Sequence, residues 1–126
     1  MNNLNTTEIG KRGEQIAADY LAGKGYAIIG RNMVIARREI DILAMADNKL
    51  VVVEVKTRKD DHPDDNFAID RDKIWRLSRA ADIYIRTNNL PHEARIDAIT
   101  ILVHSDGSHT LNHLEDITLP PLRRYR

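Results

Sequence analysis

Residues 38–56 read REIDILAMADNKLVVVEVK, and the pattern of this segment predicts the centre of a β-sheet. Its centre, Asp47-Asn48, is a turn-forming pair between two apolar segments. The segments predict two strands, Glu39–Ala46 and Lys49–Thr57, joined as a hairpin. The second strand contains consecutive valines, which indicates burial on both faces. The hairpin is therefore expected to lie in the interior of a sheet.

Helical and strand patterns continue on both sides of this hairpin. The further predicted elements are a helix that begins at the cap cluster Asn5-Thr6-Thr7 and ends at Gly23 and Gly25, a strand from Tyr26 to about Ile35, an exposed loop from Arg58 to Asp72, a helix from about Asp72 to Asn88, and the strands Ile96–His104 and His109–Leu114. Because a helix links the third strand to the fourth, these two strands are expected to be parallel. The predicted class is α/β, with a mixed five-stranded sheet flanked by helices.

The composition excludes several classes of protein. The chain has 126 residues, and we expect one domain over residues 1–118 with a basic tail at 119–126. Cysteine is absent, which excludes disulfides, thiolate zinc sites and a cysteine nucleophile and fits a cytoplasmic location. No apolar run approaches the roughly 18 residues of a membrane span, so no membrane association is expected. Since 19 basic residues balance 19 acidic ones, any contact with nucleic acid must depend on where the charges lie.

The predicted hairpin register brings acidic residues together. Pairing across the central turn sets Asp41 opposite Glu54, with Cβ atoms about 4.5–5.5 Å apart. Further along the same face, it sets Glu39 opposite Lys56. Two facing carboxylates beside an apolar strand are destabilising unless they share a proton or bind a hard divalent cation. Both explanations remain open from the spacing alone.

A divalent cation with carboxylates and a lysine is suited to phosphodiester hydrolysis. The cation polarises a phosphoryl oxygen, and Lys56 would assist the attacking water or stabilise the charge of the transition state. Glu14 is a candidate third oxygen donor at the border of the apolar stripe of the first helix, where Gly13 allows close approach to the strands. The alternatives are an exposed polar pair for Glu54 and Lys56, a solvated helix residue for Glu14, and an ion pair for Glu39.

Basic residues bracket this cluster. Arg58 follows the buried part of the third strand, and Lys73 and Arg76 lie one helical turn apart in the second helix. Such residues contact phosphates through charge and geometry. The alternative is an ordinary solvated helix face, paired with nearby aspartates.

The later strands offer weaker candidates. His104 and His109 are expected to face one another across the last hairpin, but no third ligand has a matching spacing, so zinc binding is not expected. Asp97 lies within an apolar strand and is expected to be a structural hydrogen-bond partner of Arg95 or of the neighbouring loop.

An ordered set of short motifs resembles the bacterial UPF0102 (YraN-like) family. The motifs are Gly10-x-x-Gly13-Glu14-x-x-Ala17-x-x-Tyr20-Leu21-x-x-x-Gly25-Tyr26, Arg31-Asn32, Glu39-Ile40-Asp41, Val53-Glu54-Val55-Lys56-x-Arg58, then Lys73, Leu77, Ala81, Tyr84 and Arg95-x-Asp97. They cover about residues 8–103. That family is similar to archaeal Holliday-junction resolvases and to the restriction-endonuclease-like superfamily with its PD-(D/E)xK signature.

The resemblance implies an αβββαβ core and metal-dependent nuclease chemistry. It implies Glu14, Asp41 and Glu54 as metal ligands and Lys56 as the catalytic lysine. The chain departs from the family pattern at Arg38, which replaces a usual glycine and could touch a phosphate or crowd the approach. It also departs over residues 59–65, an acidic segment that would repel DNA unless it moves or binds cations.

The leading hypothesis is a cytoplasmic Mg²⁺- or Mn²⁺-dependent endonuclease that acts on branched or otherwise structured DNA. Its candidate DNA contacts are Arg58, Lys73, Arg76 and Arg38. A homodimer is expected if the substrate is a four-way junction, because both strands must be cut symmetrically. The alternatives are a nucleic-acid-binding module without turnover and, more remotely, a protein-interaction adaptor that uses the tail or the acidic segment.

Overall fold

The computed structural model of the chain describes residues 5–60 and 70–117. Its elements are α1 (Thr6–Gly23), β1 (Ala27–Ile35), β2 (Arg38–Ala46), β3 (Lys49–Lys59), α2 (Arg71–Thr87), β4 (Glu93–Val103) and β5 (His109–Leu114). This order confirms the predicted αβββαβ core, followed by a final strand. The predicted basic tail and most of the acidic segment lie outside the described residues. Within the described residues, no helix is both long and apolar enough to span a bilayer.

The strands form a single mixed sheet in the described part of the chain. Its order is β1-β2-β3-β4-β5, and only the β3–β4 pair is parallel. This pair is the one that α2 connects, as predicted from the helix between the two strands. The turn between β2 and β3 has Asp47 and Asn48 at φ values of 50° and 63°, the left-handed geometry of a two-residue hairpin turn.

Two strands are longer than the sequence predicts. β3 continues to Lys59, so Arg58 lies in a strand and not in the predicted loop, and β4 begins at Glu93 rather than Ile96. The reason is the parallel ladder, which runs unbroken from the Lys49–Glu93 pair to the Lys59–Val103 pair. Backbone pairing with a neighbouring strand thus overrides the polar character of these strand ends.

The sheet is covered by a hydrophobic layer on each face. One layer contains α1 residues with Val51 and Val53, and the other contains α2 residues with Leu50 and Val52. The alternation of β3 therefore divides its side chains between the two helices. Glu54 continues the α2-facing series, at the point where the apolar part of the strand ends.

Sequence signals for the ends of α1 are confirmed. Asn5 and Glu8 form a reciprocal capping box, in which each side chain accepts a hydrogen bond from the other residue's backbone N–H. The helix ends at Gly23, and Gly25 then adopts a φ of 99°.

Candidate functional site

An open pocket of about 330 Å³ lies where the N-terminal half of α1 and the start of α2 meet β2 and β3. Four sequence-predicted catalytic residues line it together with two of the predicted DNA contacts. These six residues are Glu14, Asp41, Glu54, Lys56, Arg58 and Lys73. They come from four separate elements, so the tertiary fold is what assembles the pocket.

The β2–β3 ladder has the predicted register but is shorter than predicted. It begins at the pair of Ala46 with Lys49 and ends at the pair of Ile42 with Val53. The predicted direct pairs of Asp41 with Glu54 and of Glu39 with Lys56 both lie beyond the end of this ladder, so neither pair forms, and Glu39 is exposed. Counted from the turn, the last paired residue of β2 is Ile42, so the two strands are no longer paired at Asp41. The pocket opens at this point.

A local irregularity of β2 coincides with this separation. Ile40 packs on the α2 side of the sheet while Ile42 packs on the α1 side, although regular alternation would place both on one face. The change occurs at Asp41, between the β1–β2 pairs Arg31–Ile42 and Met33–Ile40. The Asp41 side chain accepts a hydrogen bond of 2.8 Å from the Val55 N–H of β3.

The environment of Asp41 disfavours its ionised form. Burial and then the carboxylate of Glu54 raise the pKa of Asp41, and Glu14 adds a smaller contribution of the same sign. The hydrogen bond from Val55 lowers it only in part, and the pKa rises to about 7. Near neutral pH this carboxyl group therefore exchanges its proton readily, and a nearby cation would favour its ionised form.

Glu54 has a cationic partner in α2, the helix that its side chain faces. Its side chain is only 6% exposed, and the Lys73 ammonium group of α2 forms an ion pair with it. The sequence interpretation assigned Lys73 to phosphate contacts or to neighbouring aspartates. In the structure, Lys73 offsets the charge of one member of the carboxylate pair, while Asp41 has no such partner among the described residues.

Gly13 sets the distance between α1 and β3. A Cβ atom at this position would overlap the side chain of Thr57, whereas one at Gly10 would meet open space. The structure thus confirms the close approach predicted for Gly13. It also explains how the adjacent Glu14 comes near enough to Asp41 to influence its pKa.

The donor chemistry of the pocket fits a hard divalent cation. Over residues 5–60 and 70–117, no three carboxylate or imidazole groups stand close enough together to hold a metal ion by themselves. Asp41 and Glu54 form a pair, and Glu14 lines the same pocket from α1. Mg²⁺ is commonly bound by one or two carboxylates together with water and substrate phosphates, so Asp41 and Glu54 are residues that could hold such an ion.

The predicted basic residues divide into two groups. Arg58 and Lys73 line the carboxylate pocket, but Arg38 and Arg76 line a separate groove with Trp75 and Arg79.

The histidines do not form the predicted pair. His109 pairs with Val103 in the β4–β5 ladder, so it does not face His104. His104 contacts Asp60 and Thr110 instead, at 3.1 and 2.7 Å. Zinc binding was not expected here, and these contacts give the imidazole a structural role.

Asp97 is a structural residue, as predicted. It is fully buried, and its carboxylate accepts hydrogen bonds from the side chains of Arg95, Tyr26 and His113 and from the backbone of Asp116, at 2.7 to 3.1 Å. Burial alone would raise the pKa of Asp97, but the hydrogen bonds from Arg95, Asp116 and His113 outweigh it and lower the pKa.

Sequence reasoning missed some participants of these sites. Tyr26 and His113 bond to Asp97 from 71 and 16 residues away, so no local spacing marks them. Trp75 carried a usable signal, since it lies four positions from Arg79 on the polar face of a helix.

The chain is similar to a consistent set of proteins over most of its length. The model of the Uncharacterised protein family UPF0102 matches residues 13–101. A UPF0102 protein of Leifsonia xyli subsp. xyli is 42% identical over 112 residues, which are 87% of this chain and 95% of that protein. UPF0102 proteins of Phocaeicola vulgatus and Bacteroides thetaiotaomicron are 41% and 39% identical over 118 residues, 91% of this chain and 95% of each relative. These matches confirm the family resemblance of the motifs, and the chain belongs to the UPF0102 family.

Proposed function

We propose that this protein is a Mg²⁺- or Mn²⁺-dependent endonuclease that hydrolyses phosphodiester bonds in branched or otherwise structured DNA. One observation carries the proposal. The half-buried Asp41 carboxyl group, with its pKa raised to about 7 by desolvation and by Glu54, lies in an open pocket that Lys56 also lines. Two neighbouring acids beside a lysine can bind a cation and support hydrolysis, whereas in a purely structural sheet they would only repel each other.

The residues of the pocket have distinct roles in this proposal. Asp41 and Glu54 hold the cation, and Glu14 supplements them from α1. Bound there, a divalent cation polarises the phosphoryl oxygen and increases the acidity of the attacking water. Lys56 orients that water and stabilises the negative charge that develops at the phosphorus. The likeness of the motifs to the PD-(D/E)xK superfamily supports this assignment by analogy.

The rim of the pocket supplies the DNA contacts. Arg58 and Lys73 line it, and cations at such positions contact backbone phosphates without reading sequence. Phosphate contacts select DNA by shape, which suits a branched substrate. For a four-way junction, two symmetrical cuts require the protein to act as a homodimer.

The test is cleavage of a panel of labelled DNAs. Purified protein is incubated with four-way junctions, flaps and linear duplexes in Mn²⁺ or Mg²⁺. Cleavage of the branched substrates is expected, and Glu54→Ala or Lys56→Ala should abolish it. Glu39→Ala is the matched control, because Glu39 is an exposed acid of the same hairpin outside the pocket. Cleavage that survives both pocket variants, or that is lost in the control, would contradict the proposal.

A second candidate function is a nucleic-acid-binding module without turnover. The observation that favours it is the ion pair of Lys73 with Glu54, which already offsets one of the two carboxylate charges. In that case DNA binds without being cut, binding survives Glu54→Ala, and titration calorimetry at pH 8 detects no uptake of Mg²⁺ or Mn²⁺. Uptake of either ion that Asp41→Asn or Glu54→Gln removes would instead favour the nuclease.

A further inference from the structure

A second groove lies beside the carboxylate pocket, on the α2 side of the sheet. Its volume is about 250 Å³, and it forms between the start of β2 and the middle of α2. Its walls combine an aromatic ring, three guanidinium groups and small apolar side chains. The residues that matter here are Ala36, Arg38, Trp75, Arg76, Arg79 and Ile83.

Trp75 is the aromatic element of this groove. The residue is 44% exposed, although an indole is large and apolar enough to be buried in most folds. The Arg79 guanidinium lies 5.1 Å from the ring centroid, within the range of a cation–π contact. A partly exposed indole is a surface on which a planar ring can stack.

The groove also carries an excess of positive charge. Arg38, Arg76 and Arg79 are all exposed, and none of them forms an ion pair with an acidic residue in the part of the chain that the structure describes. The nearest paired arginine of α2 is Arg86, which bonds to Asp82. Three guanidinium groups without acidic partners are complementary to the phosphates of a polyanion.

The groove lies close to the carboxylate pocket along both β2 and α2. Arg38 precedes Asp41 by three residues of β2, which is about 10 Å along a strand. Arg76 follows Lys73 by three residues of α2, which is about 5 Å along a helix. A nucleic-acid strand rises about 3.4 Å per nucleotide, so a strand in the pocket reaches the groove within about three nucleotides.

We propose that this groove binds an unpaired nucleotide adjacent to the cleaved bond, with its base stacked against Trp75 and its phosphates bound by Arg38 and Arg76. The inference rests on the proposed function and specifies the substrate as DNA with a single-stranded segment, such as a flap or an open junction. Base stacking on an aromatic side chain needs an exposed base face, which a continuous duplex does not offer. The combination of ring and cations therefore favours an unpaired base over intact duplex.

Trp75 provides a direct measurement, because it is the only tryptophan of the chain. Its fluorescence is recorded during titration with a single-stranded oligonucleotide, a flapped duplex and a blunt duplex, all in EDTA so that no cleavage occurs. The single strand and the flap should quench the emission at lower concentration than the blunt duplex. Poly-glutamate, added at equal charge, should leave the emission unchanged.

Substitutions then locate the effect. With a labelled flap in a fluorescence anisotropy assay, Trp75→Ala should weaken binding about ten-fold, and Trp75→Phe should restore most of it. Arg38→Ala and Arg76→Ala should each weaken binding several-fold. Lys49→Ala is the matched control, since it removes one cation at the opposite end of β3. Circular dichroism checks that each variant is folded.

The outcomes separate this inference from the nuclease proposal. Cleavage of DNA with no Trp75 response, and with normal flap binding by the groove variants, would overturn the inference and leave the nuclease intact. Quenching and variant-sensitive binding without any cleavage in Mn²⁺ would support the groove and contradict the nuclease. Quenching by poly-glutamate as strong as that by the oligonucleotide would assign the groove to acidic proteins and overturn the inference.

Discussion

Two aspartates in the same sheet, the buried Asp97 and the half-buried Asp41, have opposite environments. Asp97 of β4 is surrounded by donors, which include the Arg95 guanidinium and the Tyr26 hydroxyl. Asp41 of β2 accepts one backbone hydrogen bond and faces the carboxylate of Glu54. The pKa of Asp97 is consequently lowered, while that of Asp41 is raised to about 7. Burial raises the pKa of both carboxyl groups, so the charged and hydrogen-bonding neighbours decide the direction of each net shift.

The comparison distinguishes a structural acid from a candidate functional one. The Asp97 network ties α1, β4 and β5 together, because His113 bonds both to Asp97 and to the Tyr20 hydroxyl of α1. Its charges are offset within the fold, so it needs no ligand. Over residues 5–60 and 70–117, the Asp41 carboxylate has no cationic partner, and a free-energy cost that folding does not recover is typical of sites that bind or react. Three substitutions test this distinction.

The largest effect is expected at Asp97. Asp97→Ala leaves the Arg95 guanidinium, which is 10% exposed, without its buried counter-charge. We expect the free energy of unfolding to fall by about 3–5 kcal/mol in urea denaturation. The exposed Asp82, which pairs with Arg86, is the control, and Asp82→Ala should cost less than about 1 kcal/mol.

The pH dependence gives a second measurement at Asp97. Because the pKa of Asp97 is lowered on folding, its contribution is present above the ordinary carboxyl pKa and is lost as the pH falls through the folded value. The gap in stability between wild type and Asp97→Ala should therefore narrow in acid. If wild type and Asp97→Ala are equally stable at pH 7, Asp97 does not stabilise the fold.

An intermediate effect is expected where α1 meets the pocket. Gly13→Ala places a methyl group against Thr57, so we expect a loss of about 1–3 kcal/mol of stability and displacement of Glu14 from Asp41. Gly10→Ala is the matched control on the same helix. It meets open space and should stabilise the protein by up to about 1 kcal/mol, because alanine favours helix over glycine. If thermal denaturation shows that both variants gain stability, the close packing at Gly13 is wrong.

The smallest effect is a gain in stability at Asp41. The folded pKa of about 7 lies above the unfolded value, so the folded state binds more protons between about pH 4 and pH 7. The contribution of Asp41 to stability therefore falls as the pH rises through this window. Asp41→Asn cannot ionise. The full pKa shift corresponds to about 4 kcal/mol, but solvent screens the charge of the half-buried Asp41. In EDTA the variant should therefore be more stable than wild type by about 2 kcal/mol at pH 8 and equal to it near pH 4. A variant that is less stable at pH 8 would show that the fold already offsets this charge.

Much of the fold could be predicted from local patterns. The turn at Asp47-Asn48 fixed the β2–β3 register, and the helix before β4 fixed the parallel pairing. The close approach at Gly13 was also foreseen, because a glycine on a buried helix face has few other uses. The true ends of β3 and β4 could not be predicted, since their polar residues are in strands only because each pairs with the other.

The candidate site was foreseen in its residues but not in its geometry. The spacing of Asp41 and Glu54 in the hairpin predicts that the two acids lie close together, and in the structure both line one pocket. The end of the β2–β3 ladder at the Ile42–Val53 pair could not be predicted, because no pattern within the hairpin shows where the two strands stop pairing. The partner of Glu54 was missed for the same reason, because Lys73 reaches it from another element.

By itself, the sequence determined the elements, the pairing of the central strands and the set of charged residues near the turn. Hydrophobic periodicity and turn preferences depend on residues that are close in the chain, so they can be recognised from the sequence. Only the tertiary structure decided which of those charges are offset. Arg95, Tyr26 and His113 surround Asp97, whereas Asp41 meets another acid, and these neighbours depend on how helices and strands pack across the sheet. The environment of a buried charge is a property of packing over long separations, and it determines whether an aspartate stabilises the fold or remains available for a ligand.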